Sequence, residues 1–135
     1  MRIVVISAPP ARQAPPDYVV SLAKSMEAMG HYVDVLDAWT GDGYRLPGYD
    51  YIAVVTQAQS FFSGKIPPVV SGLLSAASNL VGKKSAAFVR KSGLFTAKAL
   101  VNLMKAMEKE GMRINWSDIL LNAPHAGAMG KMIGA

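Results

Sequence analysis

An α/β domain built around a parallel sheet is the fold class this sequence predicts, on three observations. Short, continuous apolar runs recur at Ile3–Ile6, Tyr51–Val55 and Ser85–Val89. Runs without alternation suit strands covered on both faces. Helical patterns of ten or more residues separate such strands, which implies right-handed crossovers and parallel pairing. At 135 residues the chain is long enough for one domain, 1–135, with a core of its own.

The elements follow in order. Ile3–Ile6 is the first strand, and a proline-rich segment then ends at Pro16-Asp17. Asp17 is expected to cap a helix whose apolar stripe is Val19, Leu22, Ala23 and Met26, with Gly30 as its left-handed stop. Tyr32–Leu36 is the second strand, Thr40–Gly48 a glycine-rich connection and Tyr51–Val55 the third strand. A loop, Thr56–Pro68, leads into a weaker helix over Val69–Leu80. Ser85–Val89 is the fourth strand, and Arg90–Phe95 precedes a helix capped by Thr96 and ended by Gly111. Its stripe is Leu100, Leu103, Met104 and Met107. Met112–Asn122 holds an edge-like fifth strand, disturbed around Asn115–Ser117. The remaining residues hold Pro124 and three glycines, so the last helix is expected to be short. A short last helix leaves sheet for a second subunit to cover, which is the motive for expecting a homodimer.

Composition excludes several chemistries. Without cysteine there are no disulfides, thiolate nucleophiles, thiolate-bound zinc or cysteine-ligated iron–sulfur clusters. A cysteine-free chain is compatible with the cytoplasm, the expected location. The opening apolar run meets Pro9, Pro10 and Arg12 before any small-residue cleavage pattern, as a core strand does and a secretion signal does not. No stretch approaches the roughly 18–20 apolar residues of a membrane span. The net charge of +5 favours anionic partners. The basic residues are scattered rather than striped, which argues against nucleic acid.

Ligands of open parallel sheets sit beyond the carboxyl ends of the strands. That places Ser7–Asp17, Thr56–Pro68 and Arg90–Phe95 at the candidate edge, with Arg12, Lys65, Arg90 and Lys91 as its charges. The first of these loops has four prolines and no glycine, a poor supply of the backbone N–H groups that cradle phosphate. Neither a GxGxxG nor a Walker motif occurs. The second loop sets Phe61 and Phe62 among Gln57, Gln59, Ser60 and Ser63. An aromatic ring there suits stacking on a planar ligand whose polar edge the amides bind, or packing on a helix or subunit. Phe95 is either a second wall or a staple of the following helix.

Other residues carry less. His31 and His125 lack a cysteine, a second histidine or a carboxylate nearby in sequence. Asp34 and Asp37 are oddly spaced in the second strand and so face opposite ways, and Asp37 stands where a ribose ligand would. Ser7, Ser60 and Ser92 lie in no GxSxG elbow, so hydrolysis is disfavoured. Met26, Met29, Met104 and Met107 are assigned to the core, and Trp39 and Trp116 to loop anchoring, an interface or a pocket rim. No catalytic side chain and no metal ligand set is predicted.

The segment Tyr49-Asp50-Tyr51-Ile52-Ala53-Val54-Val55-Thr56, with Gln57–Gly64 and Pro67-Pro68 after it, resembles the third strand, flavin loop and helix entry of flavodoxin-like proteins. Gly82-Lys83-Lys84-Ser85-Ala86-Ala87-Phe88-Val89 is similar to the lead into their fourth strand. In appearance the chain is nearest to small FMN reductases of the NAD(P)H:quinone type. The resemblance spans nearly the whole chain and implies a three-layer sandwich with a five-stranded parallel sheet.

The resemblance also implies FMN as cofactor. Ser7 would face the phosphate, Gln59, Ser60 and Phe61 the ring, and Ser92 or Gly93 its other edge. Ala8–Pro16 depart from the family's phosphate loop, Ala58-Gln59-Ser60 stand where a Pro-Thr-Tyr-like stretch is usual, and the net positive charge reverses the usual acidic balance. The implied function is an oxidoreductase or redox partner passing reducing equivalents from NAD(P)H to a quinone or protein acceptor. The alternatives are a flavodoxin-like binding or assembly module that has lost flavin, and another nucleotide- or anion-binding enzyme.

Overall fold

Successive strand residues face opposite sides of a sheet, and that alternation divides the core in two. Val4, Ile6, Ile52 and Val54 pack on one face, Ile3, Val5, Ala53 and Val55 on the other. The computed structural model describes residues 1–40 and 43–133. Its strands are β1 (Arg2–Ala8), β2 (Tyr32–Asp37), β3 (Tyr51–Gln57), β4 (Lys84–Arg90) and β5 (Arg113–Leu120). The helices are α1 (Asp17–Ala28), α2 (Pro68–Ala76), α3 (Thr96–Lys109) and α4 (Ala123–Gly130). Two 3-10 turns, Ala38–Thr40 and Gly43–Gly48, join β2 to β3.

All pairings are parallel, in the order β2-β1-β3-β4-β5. This is the flavodoxin-like order, with its switch point between β1 and β3. Tyr18, Leu22 and Met26 of α1 and Ala126 of α4 cover one face. Val70, Leu73 and Leu74 of α2 and Leu103 and Met107 of α3 cover the other. Phe88, fully buried on β4, anchors the first of these layers. The sandwich is therefore three-layered, as expected.

The local differences have physical causes. Gln57 pairs with Arg90, so β3 and β4 run further toward their carboxyl ends than the apolar runs suggested. Asp17 is the first helical residue rather than the cap; Pro16 is the N-cap, with no side-chain bond. Its carboxylate still favours the positive end of α1. Thr96 does not cap α3 but turns back, donating to the Ser92 carbonyl (2.8 Å) and accepting from the Ser92 N–H (3.1 Å). Helix α2 stops at Ala76 instead of Leu80, where serine and asparagine compete for the backbone. Asn79 adopts a left-handed φ of 61° and Leu80 is buried all the same. Met29 is about half exposed, not core. Gly30 and Gly111 end their helices at φ of 93° and 81°, the left-handed stops glycine permits.

In β5 the register skips Asn115, between Ile114 and Trp116, which is the expected disturbance. The Asn115 side chain then accepts a hydrogen bond from the Tyr51 hydroxyl at 2.5 Å. The short α4 packs closely on α1: a Cβ on Gly130 would lie 2.7 Å from the Leu22 carbonyl. Asn122 caps α4 by accepting from the His125 N–H at 2.8 Å. No described helix is long and apolar enough to cross a membrane.

Candidate functional site at the carboxyl edge of the sheet

The switch point sets the end of β1 beside the end of β3, and the side chains there are unusual. Ser7 is buried on the face of Ile3 and Val5, and its hydroxyl has no hydrogen-bond partner among the described residues. A buried hydroxyl without a partner costs roughly 1–3 kcal/mol, so a ligand that accepted from it would recover that energy. Next to it the strand ends are tied off. Thr56 donates to the Ala8 carbonyl at 2.6 Å, and the Trp39 indole donates to the Pro9 carbonyl at 3.0 Å. Trp39 is thus a loop anchor.

The first loop, 9–16, offers few donors. Its prolines lack N–H groups, and the Val19 and Val20 amides both bond the Pro16 carbonyl, at 3.0 and 3.1 Å. Asp17 adds a carboxylate to the first turn of α1, and Arg12 is exposed. The positive charge at α1 comes from elsewhere. The Arg90 guanidinium lies 5.8 Å from the centre of the Tyr18 ring, with Nη1 donating to the Lys91 carbonyl at 2.7 Å. Burial pushes the Tyr18 hydroxyl above its usual range; Arg90 opposes that shift and Asp17 adds to it.

The second and third loops form one body. The Gln59 N–H bonds the Lys65 carbonyl (2.8 Å) and the Lys65 N–H bonds the Ser63 hydroxyl (3.0 Å), closing the loop on itself. Asn102 of α3 donates to the Gly64 carbonyl at 2.7 Å. The Leu94 N–H bonds the Phe61 carbonyl at 3.0 Å, joining the two loops. Gly93 makes that junction possible: its φ is 63°, and a Cβ there would lie 2.7 Å from the Phe61 Cα. Only glycine combines this conformation with such an approach.

On this frame Phe61 and Phe62 meet edge to face, with centroids 4.9 Å apart. They are 58% and 75% exposed, beside Leu94 at 63% and Phe95 at 43%, so none of the four is core. A cavity of about 190 Å³ opens between Phe62 and Phe95, lined also by Lys65, Lys98 and Asn102. Phe95 is therefore a wall of this cavity. Gln59 and Ser60 are exposed and Ser92 is half-buried.

The structure brings Ser7 and Arg90 to the switch-point side, and Phe61, Phe62, Gly93 and Phe95 to the tip. The remaining candidates have structural duties. Asp37 accepts from the Trp39 N–H (2.9 Å) and Asp34 from the Tyr49 hydroxyl (2.6 Å). The His31 ring meets the amino terminus (3.2 Å), and His125 accepts from the Leu121 N–H (3.1 Å). No group of three or more metal-ligating side chains occurs among the described residues. One signal in the sequence passes unnoticed when basic residues are merely counted. No carboxylate side chain stands anywhere between Asp50 and Glu108, the span that contains both tip loops.

No known family profile and no curated relative matches the chain. Solved structures do. The oxidised flavodoxin 1 of Bacillus cereus is similar at a TM-score of 0.72 and 16% identity, over 99% of this chain and 95% of that one. A flavodoxin from the domain Archaea gives 0.71 and 17%, over 98% and 96%. The two-electron reduced flavodoxin of Megasphaera elsdenii gives 0.68 and 16%, over 96% of each. At these identities the likeness is one of fold, and the fold is flavodoxin-like.

Proposed function

We propose that this chain is a flavodoxin-type redox protein that binds FMN at the carboxyl edge, as one domain over residues 1–135. The observation that carries the reading is the buried, unpartnered Ser7 hydroxyl at the switch point. Arg90 beside the start of α1 supports it by supplying the positive charge that the proline loop lacks. The flavin, when bound, supplies the one- and two-electron chemistry. The chain's own residues bind, orient and shield. Ser7 and Arg90 hold the phosphate, Phe61 and Phe62 cover the ring and exclude water, and Gln59, Ser60, the Ser92 hydroxyl and the Gly93 backbone take its polar edge. Arg12 adds charge from the loop surface.

The usual phosphate cradle of backbone amides does not fit the 9–16 loop, and Asp17 opposes an anion there. Binding therefore draws mainly on the ring. Titration of the purified protein should give saturable one-to-one binding, with FMN favoured over riboflavin by only about tenfold, the worth of one charged contact. Unchanged flavin absorbance and fluorescence at tens of micromolar protein would sink the reading. The proposed donor is NAD(P)H and the proposed acceptor a quinone or protein, in the cytoplasm; NADH and NADPH oxidation by the flavin-loaded chain, with and without a quinone, tests this.

A second reading rests on the junction of the tip loops. The Leu94–Phe61 bond and the Gly93 contact close these loops on each other through the chain's own backbone. A flavin-free binding or assembly module fits that closure, and a failed flavin titration would favour it.

A further inference from the structure

We infer that the tip formed by the second and third loops is a docking surface for an acidic protein, and that it works whether or not flavin is bound. Four large apolar side chains, Phe61, Phe62, Leu94 and Phe95, stand exposed together on loops pinned by backbone bonds. Rigid aromatic residues lose little entropy on binding, which makes them effective anchors. Lys65 and Lys98 line the cavity with Phe62 and Phe95, and Lys91 is exposed two residues before Gly93 in the same loop. No carboxylate occurs in either loop or in α3 before Glu108. The surface is thus an apolar centre with a rim of one sign.

Complementarity fixes the occupant. A rim of lysines meets carboxylates favourably and repels a like surface at a cost of several kcal/mol. A second copy docked through this face about a two-fold axis would set lysine against lysine, so a homodimer through the tip is disfavoured. Single-stranded nucleic acid needs open ring faces for successive bases and a basic track. Phe61 and Phe62 instead stand at 74° to each other, and Lys65 and Lys98 line a short cavity beside Phe62 rather than a continuous track. The partner that fits presents carboxylates around a projecting apolar side chain, which enters between Phe62 and Phe95. Small, charge-steered contacts of this kind are weak and transient.

The test uses a labelled peptide with glutamates flanking a tryptophan–leucine pair, followed by anisotropy on the flavin-free and flavin-treated chain alike. Binding is expected at roughly 10–50 µM in low salt, weakening about tenfold by roughly 0.2 M salt. The K91E/K98E double variant should weaken it about tenfold again, and F62A about fivefold, whereas K24E/K131E on other surfaces should leave it unchanged. All these side chains except Phe62 lie outside the proposed flavin contacts, so loss of flavin binding and loss of docking are separable. Equal binding of the matching lysine peptide, indifference to K91E/K98E, or no binding would each overturn the inference. Displacement of the peptide by a lower concentration of single-stranded oligonucleotide would reassign the surface to nucleic acid.

Discussion

On one side of the switch point the chain follows β1 with a proline loop, anchored from below by the Trp39 indole at Pro9 and by Thr56 at Ala8. On the other side, the loops after β3 and β4 hold each other through Leu94 and Phe61 and turn four apolar side chains outward. Both are rigid, by different means. Proline removes conformations from the unfolded chain and donors from the folded one, so the first loop is stiff and poor in N–H groups. Hydrogen bonds and a glycine contact stiffen the tip and leave its side chains free to bind. The same sheet edge thus separates an end with little to hold an anion except Ser7 and Arg90 from an end rich in binding area.

The sharpest way to break the contrast is at Gly93. A Cβ in its left-handed conformation, against the Phe61 backbone, combines strain with overlap. Gly93→Val should destabilise the protein by about 3 kcal/mol in urea denaturation. The comparable change Ala11→Val, in the exposed first loop, should stay within about 0.5 kcal/mol. Equal effects would mean that the tip is not the more tightly built of the two.

Alkaline pH probes both ends of the sheet at once. Burial raises the Tyr51 hydroxyl at the amino end and is the largest cause of the rise at Tyr18 at the carboxyl end. Each folded-state pKa lies above the unfolded one of about 10. Their contribution is full below that value and is lost as pH rises from it toward the folded pKa, by up to about 1.4 kcal/mol per pH unit per group. Tyr51→Phe should flatten the fall in denaturation midpoint between pH 9.5 and roughly 11. Arg90→Met should raise the Tyr18 pKa further in a spectroscopic titration, because it removes the one opposing charge.

How much of this is readable in the chain depends on distance along it. Ile3–Ile6 and Tyr51–Val55 declare buried strands because no polar residue interrupts them, and Gly30 and Gly111 declare stops that need a positive φ. The βα alternation and the handedness of crossovers give a parallel sheet, whereas its order β2-β1-β3-β4-β5 is implied only by the flavodoxin-like resemblance. The site is less legible. The Trp39–Pro9 bond joins residues thirty positions apart, and nothing local tells an indole which carbonyl it will meet. Arg90 reads as a loop charge, yet it ends β4 and reaches back over Tyr18. Phe61 and Phe62 announce an aromatic loop but not its direction, since adjacent rings pack inward as readily as they project. That α2 ends at Ala76 is written in its serines and asparagine, although the apolar pattern through Leu80 masks it.

Releasing the first loop should cost less than breaking the tip. Trp39→Phe keeps the ring and deletes the donor to the Pro9 carbonyl, so about 1 kcal/mol should be lost. Tryptic cleavage after the exposed Arg12 should quicken, while riboflavin affinity holds within about twofold, because that affinity draws on the tip. A larger fall in riboflavin affinity would show that the proline loop shapes the ring site as well.

The smallest effect separates the two arginines of the anion end. Arg12 and Arg90 carry the same charge, and only their placement differs. Arg12 stands exposed in the loop, where solvent screens it. Arg90 is half-buried, fixed by its bond to the Lys91 carbonyl and by the Tyr18 ring. Arg90→Ala should therefore abolish the roughly tenfold preference for FMN over riboflavin. Arg12→Ala should change FMN affinity by less than about twofold, and that small change should vanish in roughly 0.3 M salt. The opposite ranking would move the phosphate off α1 and out over the proline loop, and Ser7 would then need another partner for its buried hydroxyl.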